Sequence, residues 1–366
     1  MKIRSLDLQQ ADALGRFIDL PWRLYASHAW VPPLKASIAQ ELGPENLFFR
    51  HGRAASFVAE QAGEIVGRIV ASIDDRLATQ EIGHFGYFES VDDPEVAGAL
   101  LQAAEAWLRD QGRSVVHGPV NLNIYTNYRL QTAGFETRPF LGEPRALPYY
   151  AGLLEAAGYA PCAGWHSWDI SGAQLQPIQG YMAHKLAAIR AAQTHHYQMK
   201  TFDPEDPGPD LARLYRLAMA GFAGNYGFAS LDFEEFVQVY QGLLLVFRRH
   251  PELLGIFYAD GIPEPVAFGF AYPDYADFFQ QLDGKAAGLQ DFPAATAHGM
   301  VFHTFAVLPE HRQAEPPYKM FAYGFDKAVE AGYDYAIGAL AKEGRTAYDQ
   351  LGAPTRSYAV FEKRPS

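Results

Sequence analysis

The fold is decided by residues 300–363, MVFHTFAVLPEHRQAEPPYKMFAYGFDKAVEAGYDYAIGALAKEGRTAYDQLGAPTRSYAVFEK. Apolar residues in this stretch repeat first with the period of a strand and then with the period of a helix. The pattern predicts strand, loop, helix, strand, helix and strand, at residues 300–308, 309–317, 318–331, 333–340, 345–351 and 357–362. Strands that alternate with helices in this way indicate a mixed α+β fold.

The N-terminal half of the chain repeats this plan. Its apolar pattern predicts the order β-β-β-α-β-α-β, and its best-marked helix starts at Asp93 and Pro94, a favoured cap followed by a residue that suits the first turn. Two units of one plan predict an internal duplication. We expect domains at 1–175 and 176–366, which meet in a Gly-, Gln- and Pro-rich stretch at 171–180.

Composition narrows the class of protein. The chain has 366 residues, 49% of them hydrophobic, which is enough for two cores. A formal charge of −12 argues against nucleic acid and anionic membrane surfaces as partners. The single cysteine, Cys162, and an N-terminus without a signal sequence predict a cytoplasmic protein. No apolar run reaches the roughly 20 residues of a membrane helix.

Several longer strings carry a family resemblance. The N-terminal half contains LPWRLYASHAWVPPL, FFRHGRAASFVAEQAGEIVGRIVASID, FGYFESVDDPEVAGALLQAAEAWLRDQG, HGPVN and YYAGLLEAAGY, and the C-terminal half has a Pro-Glu-x-Arg turn and a Tyr-x-x-x-Gly ending. With them the chain resembles the GNAT acyltransferase superfamily, in particular a bacterial family of tandem GNAT proteins. The resemblance implies two GNAT domains, each a twisted, mostly antiparallel sheet flanked by helices. It also implies an N-acyltransferase that uses acetyl-CoA or a longer acyl-CoA.

The loop that should bind the cofactor departs from the family pattern. In a GNAT fold, backbone N–H groups at a helix N-terminus bind the CoA pyrophosphate. The resemblance aligns Arg312 with that loop, but Glu315 and Pro317 replace two small residues, and Pro316 and Pro317 have no N–H to donate. The same residues also suit an ordinary helix start. In the N-terminal domain the aligned loop, DDPE at 92–95, has three acids and no base, so we expect no standard CoA site there.

The candidate catalytic residues follow from the same resemblance. Tyr348, four residues before Gly352, would protonate the leaving thiolate, and a backbone N–H near Val307 would polarise the thioester carbonyl. Counting with period two places His303 on the strand face of Phe305 and Val307, the two expected cofactor contacts. His303 or Glu310 would deprotonate the amine. Core packing of Tyr348 and His303 remains the alternative to these roles.

A second group of candidates follows the strand that ends near Gly118. Asn121, Asn123, Tyr125 and Asn127 lie where a GNAT fold opens its acceptor cleft, and an amide side chain can both donate and accept hydrogen bonds. The alternative is that these asparagines cap local turns. No His, Cys, Asp or Glu spacing predicts a metal site.

Three hypotheses of function stay open at this stage. The first is an N-acyltransferase with an active C-terminal domain and a small-molecule amine as acceptor. The second is a binding protein that kept the fold, lost CoA, and holds a small polar or amphipathic ligand near 121–127. The third uses an acyl donor other than CoA, such as a carrier protein. The acceptor and the oligomeric state are not determined by the sequence, and a homodimer is one candidate.

Overall fold

A computed structural model describes residues 1–193, 195–344, 348 and 351–365. The strands, in chain order, are β1 (Lys2–Leu6), β2 (Gly52–Gln61), β3 (Glu64–Asp74), β4 (Ile82–Ser90), β5 (Val115–Gly118), β6 (Leu130–Ala133), β7 (Ala160–Ser171), β8 (Tyr197–Thr201), β9 (Leu254–Ala259), β10 (Ala267–Pro273), β11 (Gly299–Val307), β12 (Tyr335–Lys342) and β13 (Arg356–Lys363). The α-helices are α1 (Ala11–Leu24), α2 (Lys35–Leu42), α3 (Pro94–Asp110), α4 (Tyr150–Ala156), α5 (Gly172–Ala192), α6 (Pro207–Phe222), α7 (Phe233–Arg249), α8 (Ala276–Leu282) and α9 (Glu315–Glu330).

The strands of the two halves join in one sheet. Its order is β1-β2-β3-β4-β5-β13-β7-β12-β11-β10-β9-β8, and β6 pairs with β13 beside that path. The mixed α+β class is therefore confirmed. The last strand of each half, β7 and β13, lies next to strands of the other half, so no single cut of the chain separates two complete sheets. The division at residue 175 stays a prediction.

Each half contains a pair of parallel strands that separate part-way along. β11 pairs with β12 from Gly299 to Phe302, yet β11 continues to Val307. β4 pairs with β5 from Ile82 to His84, yet β4 continues to Ser90. The other strand pairs are antiparallel. A gap therefore opens between the two parallel strands in each half, as the family resemblance implies.

Side chains near their first turns favour the starts of two helices. Asp93 caps α3 as expected, since its carboxylate accepts a hydrogen bond from the Glu95 amide at 2.9 Å. Helix α5 begins within the Gly-, Gln- and Pro-rich stretch at 171–180, where the boundary between domains stays a prediction. The Gln174 side chain accepts from the Ser171 amide at 2.9 Å, a local bond that favours the helix in spite of the glycines. The edge strand β1 was not predicted.

Helices cover both faces of the C-terminal half of the sheet. α5 and α9 pack on one face over Trp168, Phe302, Phe325 and Tyr348. α6 and α7 pack on the other face, over Phe268, Phe270 and neighbouring apolar residues. Within the described residues, none of the helices combines the length and the apolar character that a membrane crossing requires.

Candidate functional site

The candidate site lies where β11 and β12 part. The last paired residues are Phe302 and Gly338. Immediately beyond them β11 has a bulge: Phe302 pairs with Ala271 of β10 and Thr304 pairs with Phe270, which leaves His303 as an extra residue. A bulge bends the strand that carries it, and this bulge lies where the pairing of β11 with β12 ends.

The bulge also changes the face to which His303 points. The His303 ring stacks on Phe270 at 5.6 Å between centroids, whereas Phe305 packs with Met320 on the opposite face, beneath α9. The expectation that His303 shares a face with Phe305 and Val307 is therefore wrong. Period-two counting fails because the extra residue shifts the alternation by one position.

His303 lies beside an apolar cavity between α6, α7 and the sheet, next to two of the residues that line it, Thr304 and Phe270. The His303 Nδ1 atom is 2.8 Å from the Thr304 hydroxyl oxygen, and Thr304 lines the cavity. The cavity has a volume of about 40 Å³. The other lining residues are hydrophobic: Phe202, Leu211, Leu214, Phe236, Tyr240, Leu243, Leu244, Phe247, Leu254, Phe268 and Phe270. Leu211, Tyr240, Leu243 and Leu244 are half-buried, which places the mouth between the two helices.

Burial determines the charge of His303. Loss of solvent, with a further contribution from the positive charge of Arg129, lowers the pKa of the imidazole to about 4. The ring is therefore neutral at neutral pH. With Nδ1 beside the Thr304 hydroxyl, Nε2 is the ring nitrogen left to exchange a proton with a bound molecule.

Tyr348 lies on the opposite face, against the same point of the sheet. Its ring stacks on Trp168 at 5.4 Å and contacts Phe321 edge-on at 5.3 Å. A Cβ added at Gly338 would come within 2.5 Å of the tyrosine ring, so the ring touches β12 where the gap begins. Burial raises the pKa of Tyr348, so the phenol keeps its proton. The helix expected at 345–351 lies largely outside the described residues.

The first turn of α9, the expected pyrophosphate site, is closed by protein groups. Glu315 accepts hydrogen bonds from Arg190 Nη2 at 2.7 Å and from the Gln193 side chain at 2.8 Å, and the Gln193 side-chain oxygen Oε1 accepts from the Glu315 backbone amide. Lys319 Nζ is 3.5 Å from the same carboxylate. Burial acts to raise the pKa of Glu315, but these hydrogen bonds outweigh it and hold the pKa below its usual value. Arg312 is exposed and takes no part in this closure.

The remaining cofactor and base candidates flank this region. Val307 pairs with Ala267 of β10, and its side chain packs with Met320 of α9. Glu310 is exposed in a short 3₁₀ turn after β11. The structure thus brings Phe305, Val307 and Arg312 to the α9 side of the gap. It brings His303 to the opposite side.

The corresponding gap in the N-terminal half is filled. Phe85 is fully buried and lies over β5, since a Cβ at Gly118 would come within 2.4 Å of its ring. Phe88 and Tyr159 pack edge-on against Phe85 at 6.0 and 5.3 Å. The N-terminus of α3 is occupied by the Asp93 carboxylate. Aromatic side chains and a carboxylate therefore occupy the positions that a CoA chain and its phosphates would need.

The asparagine segment is held by bonds within the protein. The Asn121 carbonyl oxygen accepts from the Tyr87 amide at 2.7 Å, and that of Asn123 accepts from the Tyr125 amide at 3.0 Å. Tyr125 donates to the Ala229 carbonyl at 2.7 Å, and Asn127 is exposed. These bonds are those of the capping alternative, and the role of the segment in ligand binding stays a prediction.

Two features outside the site were not foreseen. A wider cavity of about 250 Å³, in the N-terminal half, is lined by Tyr25, His28, Arg145 and neighbouring residues, far along the sheet from the bulge. In addition, His51 bridges Asp74 and Glu235 between the two halves. A sequence offers no signal for such a bridge, because its members are separated by up to 184 residues. Among the described residues, no group of His, Cys, Asp and Glu is arranged to hold a metal ion.

Comparison with known proteins assigns the chain to a family. No family profile matches the chain. The Escherichia coli strain K12 protein YghO is 30% identical over 277 residues, which cover 74% of this chain and 68% of YghO. The chain belongs to the YghO family. A second relative matches over a shorter stretch: the bacterial ceramide synthase of Caulobacter vibrioides is 42% identical over 157 residues, 40% of each chain.

The fold comparison agrees with the tandem arrangement. A tandem GNAT protein from the clavulanic acid biosynthesis pathway matches 100% of this chain and 99% of its own length, with a TM-score of 0.56 and 11% identity. This match confirms the predicted GNAT-like fold with two tandem units. At this level of identity it carries the fold and not the reaction.

Proposed function

We propose that this member of the YghO family is an N-acyltransferase with its reaction centre in the C-terminal half, where β11 and β12 part. One observation carries the proposal. Beside the point where the strands part, Thr304, the neighbour of His303, lines an apolar cavity on one face of the sheet, and the Tyr348 ring lies against Gly338 on the other. At the N-terminal gap the ring in the corresponding place is that of Phe85, which has no proton to give. A thioester placed in the C-terminal gap would have an amine pocket on one side and a proton donor on the other.

The cavity and the Caulobacter relative together suggest the acceptor. The lining is apolar except for Thr304, which suits a hydrocarbon chain and not a charged small molecule. The relative is called a ceramide synthase, and ceramide carries an acyl group on the nitrogen of a long-chain amine. We therefore assign a long-chain amine as the acceptor, with its nitrogen at Thr304 and its chain between α6 and α7.

The proposed reaction is direct acyl transfer. The acceptor arrives as an ammonium ion, and the neutral His303 imidazole takes one proton from it. The amine lone pair attacks the thioester carbonyl, a C–N bond forms, and the C–S bond breaks. Tyr348 gives its proton to the leaving thiolate, and the new amide nitrogen releases its second proton, which returns the tyrosinate to the phenol through solvent. Because the pKa of His303 is about 4, it is a weak base. Its share belongs to the low end of the roughly 10²–10⁴-fold that general bases contribute.

Acyl-CoA is the proposed donor, bound on the α9 face. Its pyrophosphate would lie at the first turn of α9 and would have to displace Glu315 from Arg190. Arg190, Lys319 and the exposed Arg312 would then face the phosphates. The closure of this turn favours a second candidate function, a ligand-binding protein that no longer uses CoA. Acyl transfer is preferred because a tyrosine held against Gly338, where the two strands part, has no evident use in such a protein.

The test is product formation with defined substrates. Purified protein is incubated with acetyl-CoA or palmitoyl-CoA and with sphinganine or ethanolamine, and amides are measured by mass spectrometry. We expect an N-acyl product with sphinganine and little with ethanolamine. Tyr348→Phe should lower the rate, whereas Tyr181→Phe, an exposed tyrosine on α5, should not. If no donor and acceptor pair gives an amide but the protein still binds sphinganine, the result would favour a ligand-binding protein that does not use CoA.

A further inference from the structure

Helix α7 has two faces with different partners. One face carries Phe236, Tyr240, Leu243, Leu244 and Phe247, which form a wall of the apolar cavity. The other face carries the polar residues Glu234, Glu235, Gln238 and Gln241, and it faces the N-terminal half. A helix with an apolar and a polar stripe usually turns the polar stripe to water. Here the polar stripe is instead bonded to the protein.

A buried charge cluster anchors the first turn of α7. His51 Nδ1 lies 2.9 Å from Asp74 Oδ1, and His51 Nε2 lies 3.0 Å from Glu235 Oε2. Arg76 Nη1 reaches Glu235 at 3.2 Å, and its Nη2 reaches Asp232 at 2.5 Å. The Glu235 residue is only 2% exposed. We call His51, Asp74, Arg76 and Glu235 the His51 cluster.

Further hydrogen bonds continue along the same stripe. The Leu47 amide donates to the Gln238 side chain at 2.9 Å, and Gln238 donates to the Glu45 carbonyl at 3.0 Å. One turn further on, Gln241 donates to Gln40 at 3.1 Å. The N-terminal half therefore holds α7 over nearly two turns. These hydrogen bonds reach only the side of the helix that faces away from the cavity.

The small volume of the cavity means that these hydrogen bonds affect which ligands can enter it. A volume of about 40 Å³ is far less than a long hydrocarbon chain occupies. Such a chain can enter only if α6 and α7 move apart. β10 and β11 form the floor and cannot yield without breaking the sheet. The bonds between α7 and the N-terminal half therefore oppose the movement that admits a chain.

We propose that the N-terminal half, whose own gap is filled, serves to position α7, and that the His51 cluster sets the chain length that the cavity accepts. His51, Arg76 and Glu235 are positioning residues in this scheme, since they reach the cavity only through the helix. The identity of the occupant rests on the proposed function. The control of α7 by the N-terminal half rests on the contacts alone.

The experiment compares two adjacent carboxylates of one helix. Glu235→Gln removes the buried charge between His51 and Arg76. Glu234→Gln is the matched control, because the Glu234 side chain is 70% exposed and pairs with Arg50 at the surface. Hydrogen exchange of peptides covering α7 is measured without any substrate. Binding of straight-chain alkylamines with 8 to about 18 carbons is then measured by titration calorimetry.

We expect Glu235→Gln to raise exchange in α7 by about tenfold relative to the control, with exchange in α3 and α5 unchanged. The preferred alkylamine should become longer in the same variant. If Glu235→Gln behaves as Glu234→Gln does in both assays, the proposal is refuted. If Glu235→Gln is unfolded throughout, Arg76→Lys replaces it in the test. A lysine keeps the positive charge but cannot contact both Glu235 and Asp232 as Arg76 does. Unchanged hydrogen exchange of α7 in Arg76→Lys would also refute the proposal.

These readouts separate this inference from the proposed function. Hydrogen exchange in α7 does not depend on turnover. Loss of acyl transfer with the exchange result intact would leave the positioning role standing. The wild-type protein could bind no alkylamine while α7 exchanges faster in Glu235→Gln. That result would refute the control of chain length by the His51 cluster but not the positioning of α7.

Discussion

Replacing Glu315 by glutamine tests where the acyl donor binds. The carboxylate is 4% exposed as a side chain and holds Arg190 at 2.7 Å, at the turn where a pyrophosphate would need the same cation. A glutamine at this position would keep the size of the side chain and remove its charge. We expect the variant to bind CoA more tightly than the wild-type protein does, because one repulsion disappears and Arg190 becomes free.

The expected gain can be estimated from Coulomb's law. A unit charge about 4 Å from a phosphate charge costs about 1 kcal/mol in water and about 4 kcal/mol at an effective dielectric constant of about 20. Arg190 is about half exposed and Glu315 is buried, so an intermediate value of about 2 kcal/mol is appropriate. That corresponds to a roughly 30-fold lower Kd, since about 1.4 kcal/mol is tenfold.

Titration calorimetry with CoA and with pantetheine measures this effect. Pantetheine lacks the pyrophosphate, so Glu315→Gln should leave its affinity unchanged, and the gain for CoA should shrink at high salt. Glu330→Gln, which removes a surface partner of Lys327 at the other end of α9, is the control. An equal affinity for CoA in the wild-type protein and in Glu315→Gln would refute the placement of the pyrophosphate at α9.

Three further predictions concern stability. Burial lowers the pKa of His51, but hydrogen bonds from its ring to Asp74 and Glu235 outweigh this and raise the pKa to about 9. The stability that His51 contributes should therefore be complete below about pH 6.5 and lost as the pH rises through about 9. Melting curves of the wild-type protein and of His51→Gln should then show Tm values that converge as the pH rises. Gly338→Ala should destabilise the protein by about 1–3 kcal/mol in urea unfolding because its methyl group meets Tyr348. Gly242→Ala, in open space on α7, should stabilise it by about 0.5–1 kcal/mol; equal effects of the two would contradict the packing. Arg356→Ala should lower the free energy of unfolding by about 3–5 kcal/mol in the same assay, because Arg356 is 1% exposed and pairs with a buried carboxylate at 3.0 Å. A decrease under about 1 kcal/mol would show that the pair is not buried.

Much of the fold follows from local sequence. The strand and helix pattern of residues 300–342 predicted β11, α9 and β12 to within a few residues, because side chains that alternate or repeat every three to four positions bury one face of each element. Asp93 and Pro94 fixed the start of α3 for the same local reason. The acid and the two prolines of the 312–317 loop already indicated a departure from the cofactor loop of the family that the chain resembles.

The candidate site depended on contacts that the sequence does not encode locally. Period-two counting places His303 on the wrong face, since the extra residue of a bulge shifts the alternation, and the bulge lies where β12 stops pairing with β11. The sequence does not decide whether Arg312 pairs with Glu315, and the structure supplies Arg190 instead, 125 residues earlier. Whether an ion pair forms across such a distance depends on how α5 packs on α9.

The sequence by itself determined the two repeated units, most of their elements and the chemistry available in each loop, because these depend on neighbours within a few residues. Tertiary structure decided the exchange of β7 and β13, the closure of the α9 turn and the attachment of α7 to the N-terminal half. The physical reason is that the free strand edges and buried charges of each half can be satisfied in several ways. Only the packed molecule, with every partner in place, selects one of them.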